Sequence, residues 1–203
     1  MKVALLGASG MVGSRILAEL SSRGHQVTAL ARKPDAIATL PGVTAKAVDA
    51  FDRAALAAAW RGHDAAISAV HFLASDADTL IGAAKDAGVP RYLVVGGAGS
   101  LEVAPGVRLF DTPQFPAAYL AEAKAGGAFL DKLKAEPALA WTFLSPAAMI
   151  QPGERTGRFR LGTDQLVVDA AGNSAISAED FAVAMVDELE TPKHVRARFT
   201  LGY

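Results

Sequence analysis

The sequence predicts an α/β protein with a doubly wound, mostly parallel sheet, and three observations carry that prediction. Short apolar, β-branched runs alternate with longer alanine-rich stretches of helical period, the pattern of strand-helix units stacked into a sheet covered on both faces. The run Val3-Ala4-Leu5-Leu6 opens directly onto Gly7-Ala8-Ser9-Gly10-Met11-Val12-Gly13, a glycine-spaced turn of the kind that joins a first strand to a first helix in such sheets. The 203 residues, 51% hydrophobic and 20% charged, are enough to bury a full core yet short for two domains, so one domain over 1–203 is expected.

Strands are expected near residues 2–6, 26–31, 44–48, 65–69, 91–96 and 140–145, and helices near 11–23, 52–60, 76–87 and 117–135. The first helix gathers Val12, Ile16, Leu17 and Leu20 on one side and stops at Ser22-Arg23-Gly24. Ser75 with Asp78 reads as an N-cap pairing, and Gly88-Val89-Pro90 ends the third helix before Tyr92-Leu93-Val94-Val95. Gly126-Gly127 inside the fourth helix costs about 1 kcal/mol per glycine relative to alanine, which close packing or a kink must offset. After Gln151-Pro152-Gly153 the texture changes. Residues 158–161 and 165–168 read as a hairpin around Gly162-Thr163-Asp164, and Ser177 caps a last helix with Asp180 three positions on. Arg198 to Leu201 reads as a short edge strand, so this part forms a small C-terminal region on the substrate side of the sheet.

Composition excludes several classes. A formal net charge of -1 and the lack of a dense Lys/Arg run give no footprint for nucleic acid or an anionic membrane. With 0 cysteines there is no disulfide framework, zinc site or thiol nucleophile, and the four histidines share no metal-ligand spacing, so no metal is expected. No apolar segment approaches the roughly eighteen residues a spanning helix needs. A cytoplasmic protein is the expectation.

The glycine turn reads as a dinucleotide cradle. Gly7, Ala8, Ser9, Gly10, Met11 and Val12 bring backbone close to a pyrophosphate, and the helix that follows points free amides at the anion. The second strand ends in Ala31-Arg32-Lys33, where a cofactor with an unphosphorylated ribose would meet Asp or Glu. Arg grips a 2′-phosphate through paired charged hydrogen bonds, so NADP(H) is preferred over NAD(H), with a merely solvated strand end as the alternative. After the third strand, Asp49 with Ala50 is favoured for the adenine over Asp52, which could be only a helix cap. Small residues at strand ends, Ser68-Ala69-Val70, Gly96-Gly97 and Pro146-Ala147-Ala148, suit close approach to the pyrophosphate, ribose and nicotinamide.

The reacting side is less defined. Ser100 is either a substrate contact or a turn hydroxyl bonded to its own backbone. The proline-punctuated stretch from Gly99 to Ala117 is expected to wall or cover the substrate, unless Phe110 and Phe115 simply pin it to the core. Tyr119 and Lys124 invite comparison with a tyrosine-lysine proton-donating pair, but they stand five apart, roughly 140° around a helix at about 100° per residue. Ala123 takes the place on Tyr119's face. His71, after the fourth strand, is a candidate for proton donation or substrate contact.

Gly7, Gly10, Gly13, Arg32, Asp49, Gly96-Gly97-Ala98-Gly99-Ser100 and Leu144-Ser145-Pro146, in that order, make the chain resemble the atypical short-chain dehydrogenase/reductases. Within them it is most similar to the small NAD(P)H-binding proteins called NADH-flavin reductases, and also to biliverdin-IX-beta reductases and NmrA-like proteins. The resemblance covers nearly the whole chain. It implies a Rossmann-type monomer or small homo-oligomer with NADP(H) along the carboxyl edge of the sheet. Its acceptor would be a flavin, quinone or similar planar small molecule, with Ser100 and Tyr119 touching substrate. Relatives with the full catalytic set use Y-x-x-x-K, which this sequence lacks at Tyr119. Flavins and quinones can take a hydride and be protonated by water, so a reductase still fits. A non-catalytic NADP(H) redox sensor of the NmrA-like type is the second reading, and a sugar-nucleotide epimerase or dehydratase the third.

Overall fold

The computed structural model describes residues 1–203. In chain order the first half holds β1 (Lys2–Leu6), α1 (Met11–Ser22), β2 (Gln26–Ala31), β3 (Val43–Ala47), α2 (Arg53–Trp60), β4 (Ala65–Ser68), α3 (Ala77–Ala87) and β5 (Tyr92–Val95). A short hairpin, β6 (Glu102–Ala104) and β7 (Val107–Arg108), precedes α4 (Ala117–Lys134) and β8 (Trp141–Ser145). The chain closes with β9 (Met149–Gln151), β10 (Arg160–Gly162), β11 (Ala175–Ser177), α5 (Ala178–Glu190) and β12 (Ala197–Gly202). No helix is long and apolar enough to cross a membrane.

Eight strands form one sheet in the order β10-β12-β8-β5-β4-β1-β2-β3, parallel except for β10. The chain runs outward from β1 through β2 to β3, then returns to place β4 on the other side of β1. That reversal makes the β1/β4 boundary the switch point at which such sheets bind ligands. Alternation along β1 explains why both faces are covered. Val3 and Leu5 belong to a core of 24 residues packed under α1 and α5, whereas Ala4 and Leu6 belong to one of 23 residues under α2, α3 and α4. A strand buried on both faces carries an unbroken apolar run rather than an alternating one.

Three expectations need correction. Residues 158–161 and 165–168 do not pair as a hairpin: β10 pairs antiparallel with β12, Arg160 opposite Gly202, and Gln165 bridges to Glu102 instead. The Arg198 guanidinium, on β12, donates to Asp164, and Val167 packs against Gly162 and Gly202, so the turn folds back over β12. For the same reason β12 lies inside the sheet, parallel to β8, and β10 takes the edge. The cap of α3 is Asp76, which accepts from the Thr79 amide at 2.7 Å, while the Ser75 hydroxyl donates to the His71 carbonyl. The α4 helix runs unbroken through Gly126-Gly127. A Cβ on Gly126 would sit 2.7 Å from the Phe72 ring and one on Gly127 3.1 Å from that of Phe110, so packing is what offsets their helix cost.

Candidate functional site

The carboxyl ends of the central strands open onto a cleft of about 550 Å³. Gly7, Ser9, Gly10, Met11 and Val12 form its floor at the β1–α1 turn, Ala31 and Arg32 come from the end of β2, and Val48, Asp49, Ala50 and Phe51 from the turn after β3. The opposite wall is Ala69, Val70, His71 and Phe72 after β4, with Val95 and Gly96 after β5, Glu122 from α4, and Pro146 and Ile150 after β8.

The three motif glycines do different work. Gly7 has φ 84, and a Cβ there would lie 2.2 Å from the Ala69 carbonyl oxygen, so the turn crosses the end of β4 with no room for a side chain. A Cβ on Gly13 would lie 2.0 Å from the Gly7 carbonyl, so α1 packs directly on the turn. Gly10 is exposed, and its Cβ would meet only the Gly7 carbonyl, at 3.3 Å. Folding requires glycine at 7 and 13, while at 10 the absent side chain leaves backbone bare toward the cleft. No side chain caps α1 and no acid stands in its first turn, so its leading amides face the same space. Bare backbone beside open amides at a helix start fits the pyrophosphate of a dinucleotide.

Arg32 is exposed at the cleft, and Lys33, also exposed, caps the short turn 34–36 outside it. The Asp49 carboxylate lines the cleft while accepting from the Phe51 amide at 3.0 Å, which brings the Phe51 ring, 56% exposed, to the rim. Asp52 is the α2 cap, accepting from the Ala55 amide. Ala8 is fully buried, its amide bonded to the Leu30 carbonyl at the back of the turn.

On the reacting side the structure departs from several assignments. Ser68 lies in the core, sharing a 3.0 Å hydrogen bond with the Tyr92 hydroxyl. Burial pushes that phenol well above its ordinary range, outweighing the opposite effect of Ser68, so Tyr92 stays neutral. Ser100 is buried, its hydroxyl and carbonyl both taken by the Arg198 guanidinium, and it does not line the cleft. Neither the substrate contact nor the bond to its own backbone is what holds it. Tyr119 is exposed on α4 outside the lining, as is Lys124. Gly97, Ala147 and Ala148 are likewise outside it: Ala147 is buried, and the Ala148 amide donates to Ser174. The stretch 99–117 contributes no residue to the cleft lining. Its hairpin is tied to 164–166, and Phe110 packs on Gly99 and Gly127.

The wall is made instead by the turn 71–74, clamped by α4. The Glu122 carboxylate accepts from the Phe72 amide at 2.7 Å and the Leu73 amide at 3.0 Å, and one of its oxygens lies 3.3 Å from His71 Nδ1. One helical turn on, Gly126 receives the Phe72 ring, which also stacks on Phe143 at 6.2 Å. Sequence reasoning missed Glu122, Phe72, Phe51 and Ile150. A signal for Glu122 existed: it stands four residues before Gly126, on the face that a glycine pair marks as closely packed. A second, smaller depression of about 260 Å³ lies between β10, α5 and β12, where Glu188 is occupied by Arg91, Thr142 and His194.

A protein-family model described as NAD(P)H-binding matches residues 7–192. Solved structures that cover the whole chain include three bacterial proteins. A Burkholderia pseudomallei protein, provisionally described as exported, is 51% identical with TM-score 0.91 over 100% of its own length. A Bacteroides thetaiotaomicron protein, provisionally described as an epimerase, is 46% identical with TM-score 0.94 over 96% of its length. A Streptococcus pneumoniae protein, provisionally described as an NADH-flavin reductase, is 35% identical with TM-score 0.82 over 99% of its length. The fold is common ground, while the three descriptions differ from one another.

Proposed function

The chain belongs to the NAD(P)H-binding family, and from that premise we propose that it is an NADPH-dependent oxidoreductase passing hydride to a flavin, quinone or similar planar acceptor. The observation that carries the reading is the placing of Arg32 in the cleft at the end of β2, on the far side of the glycine turn from a largely apolar wall. The turn and the α1 amides would hold the pyrophosphate, Arg32 the ribose phosphate, and Asp49 with Phe51 the adenine. A bound nicotinamide supplies the hydride. Val70, Phe72, Val95 and Ile150 exclude water from that end and offer flat or branched apolar surface to a planar partner, so the protein's task is to orient two ligands. Flavin enters as a substrate. A cytoplasmic location and a monomeric or small homo-oligomeric state belong to the same proposal.

Rates of NADPH and NADH oxidation by purified protein, with flavins and quinones as acceptors, test it. The expected result is acceptor-dependent, saturable oxidation that favours NADPH, with Arg32→Ala losing about 10- to 100-fold in kcat/KM for NADPH and little for NADH, as loss of charge-assisted hydrogen bonds predicts. An unchanged preference in the variant removes Arg32 from its role. Tight NADPH binding without turnover puts the redox sensor in place of the reductase.

A further inference from the structure

His71 stands where β4 ends, on the wall of the cleft, with its ring almost wholly in solvent. A carboxylate accepts, so a hydrogen bond across the 3.3 Å between Glu122 and Nδ1 requires the proton on Nδ1. Glu122 cannot swing to suit the ring, because the amides of Phe72 and Leu73 fix both its oxygens. The ring is therefore oriented from behind, and Nε2 is left to gain and give a proton on the open side. Glu122 does more than cap a turn, since the same carboxylate that holds the turn also turns the imidazole. The other ionisable side chains lining the cleft are Arg32 from β2 and Asp49 after β3, and Asp49 is engaged by the Phe51 amide.

We propose that His71 is the proton donor of this site, with Glu122 as its positioning residue, and that the pair favours quinones over flavins among those acceptors and adds dicarbonyls to them. The proposal rests on the reductase reading. In the step, a hydride from the bound cofactor would add to the acceptor, carrying its hydrogen and both electrons of the bond it leaves, and would place negative charge on an acceptor oxygen. The Nε2–H bond of the imidazolium breaks as that oxygen takes the proton, and a proton taken up from solvent restores the imidazolium. A carbonyl acceptor concentrates that charge on oxygen and so benefits from a donor. A flavin spreads it over a ring system that water can protonate afterwards.

Two measurements on the full chain test the pair. Nitrogen-15 NMR of the ligand-free protein is expected to show neutral His71 protonated at Nδ1, reverting to Nε2 in Glu122→Ala. An Nε2-protonated ring in the native protein overturns the positioning. In turnover, His71→Asn is expected to lower kcat for a quinone about 100-fold, the lower range for general acids, and for a flavin by less than about threefold. Equal losses for both acceptors, or none, overturn the donor role while leaving the reductase intact. Absence of turnover with every acceptor overturns the reductase reading, and the donor role with it.

Discussion

The two sides of the cleft are built by different means. The floor, from β1 through the glycine turn into α1, is a backbone device whose contacts lie within one short stretch of chain plus the ends of β2 and β4: Gly13 packs on Gly7, Gly7 on Ala69, and the Gly7 and Ala8 amides donate to the Leu30 carbonyl. The wall is a side-chain device assembled across 50 residues of sequence, where Glu122 and Gly126 on α4 hold the turn carrying His71 and Phe72. A floor made of open backbone amides at a helix start favours an anion, so it suits a cofactor part common to many enzymes. A wall made of side chains can change with one substitution, so acceptor choice belongs there.

The largest effect is expected from breaking the floor. Gly7→Ala puts a Cβ 2.2 Å from a backbone carbonyl at a positive φ, which the turn cannot accommodate without moving β4 or α1. A loss of about 3 kcal/mol is expected from overpacking and strain together, lowering the melting temperature by about 6–12 °C. Gly10→Ala sharpens the contrast. Its Cβ meets only one atom, at 3.3 Å, so the melting temperature should hardly move, while nucleotide affinity measured by calorimetry should fall at least about tenfold from lost close approach. Equal destabilisation by the two substitutions would erase the distinction between a glycine kept for folding and one kept for the ligand.

That contrast also explains what could be read from the sequence. The parallel order, the β1–α1 turn and the place of Arg32 were legible because period, glycine spacing and strand order are local signals. Ser68, Ser100 and Tyr119 misled for one reason: position along a strand end or helix says which edge of the sheet a residue reaches, not what its side chain meets. Ser68 meets Tyr92, and Ser100 meets Arg198, 98 residues away. The long stretch after Gly99 looked like a lid because of its prolines, yet Phe110 and its own hairpin tie it down. The turn 71–74 that does form the wall carries no glycine or proline to mark it.

Loosening the wall should have a smaller effect than breaking the floor. Glu122→Ala deprives two amides and the His71 ring of their acceptor, a loss of about 2 kcal/mol from charge-assisted hydrogen bonds in a half-buried place. The diagnostic is local: hydrogen exchange at Phe72 and Leu73 should quicken while amides of the glycine turn keep their protection. Quickening on both sides would mean that floor and wall open as one unit.

The smallest effect lies outside the cleft, at the seam between α1 and α5, where Arg155 ties the chain after β9 back to Glu19. Arg155 donates two hydrogen bonds to the carboxylate, at 2.7 and 2.8 Å, and Arg23 pairs with the same group. The Arg155 hydrogen bonds hold the Glu19 carboxyl below its usual 4.5, against the opposing effect of burial and with help from Arg23. A carboxylate whose value is lowered by folding stabilises the native state above its unfolded value, and that contribution disappears as the pH falls through the folded value. Arg155→Ala should therefore cost about 1 kcal/mol near neutrality, discounted because the arginine is half exposed. In melting curves taken from pH 6 downward, the gap between native protein and variant should be full above pH 4.5 and close below it. A gap independent of pH would trace the loss to the arginine's packing rather than its charge, and would leave Arg23 as the partner that sets Glu19.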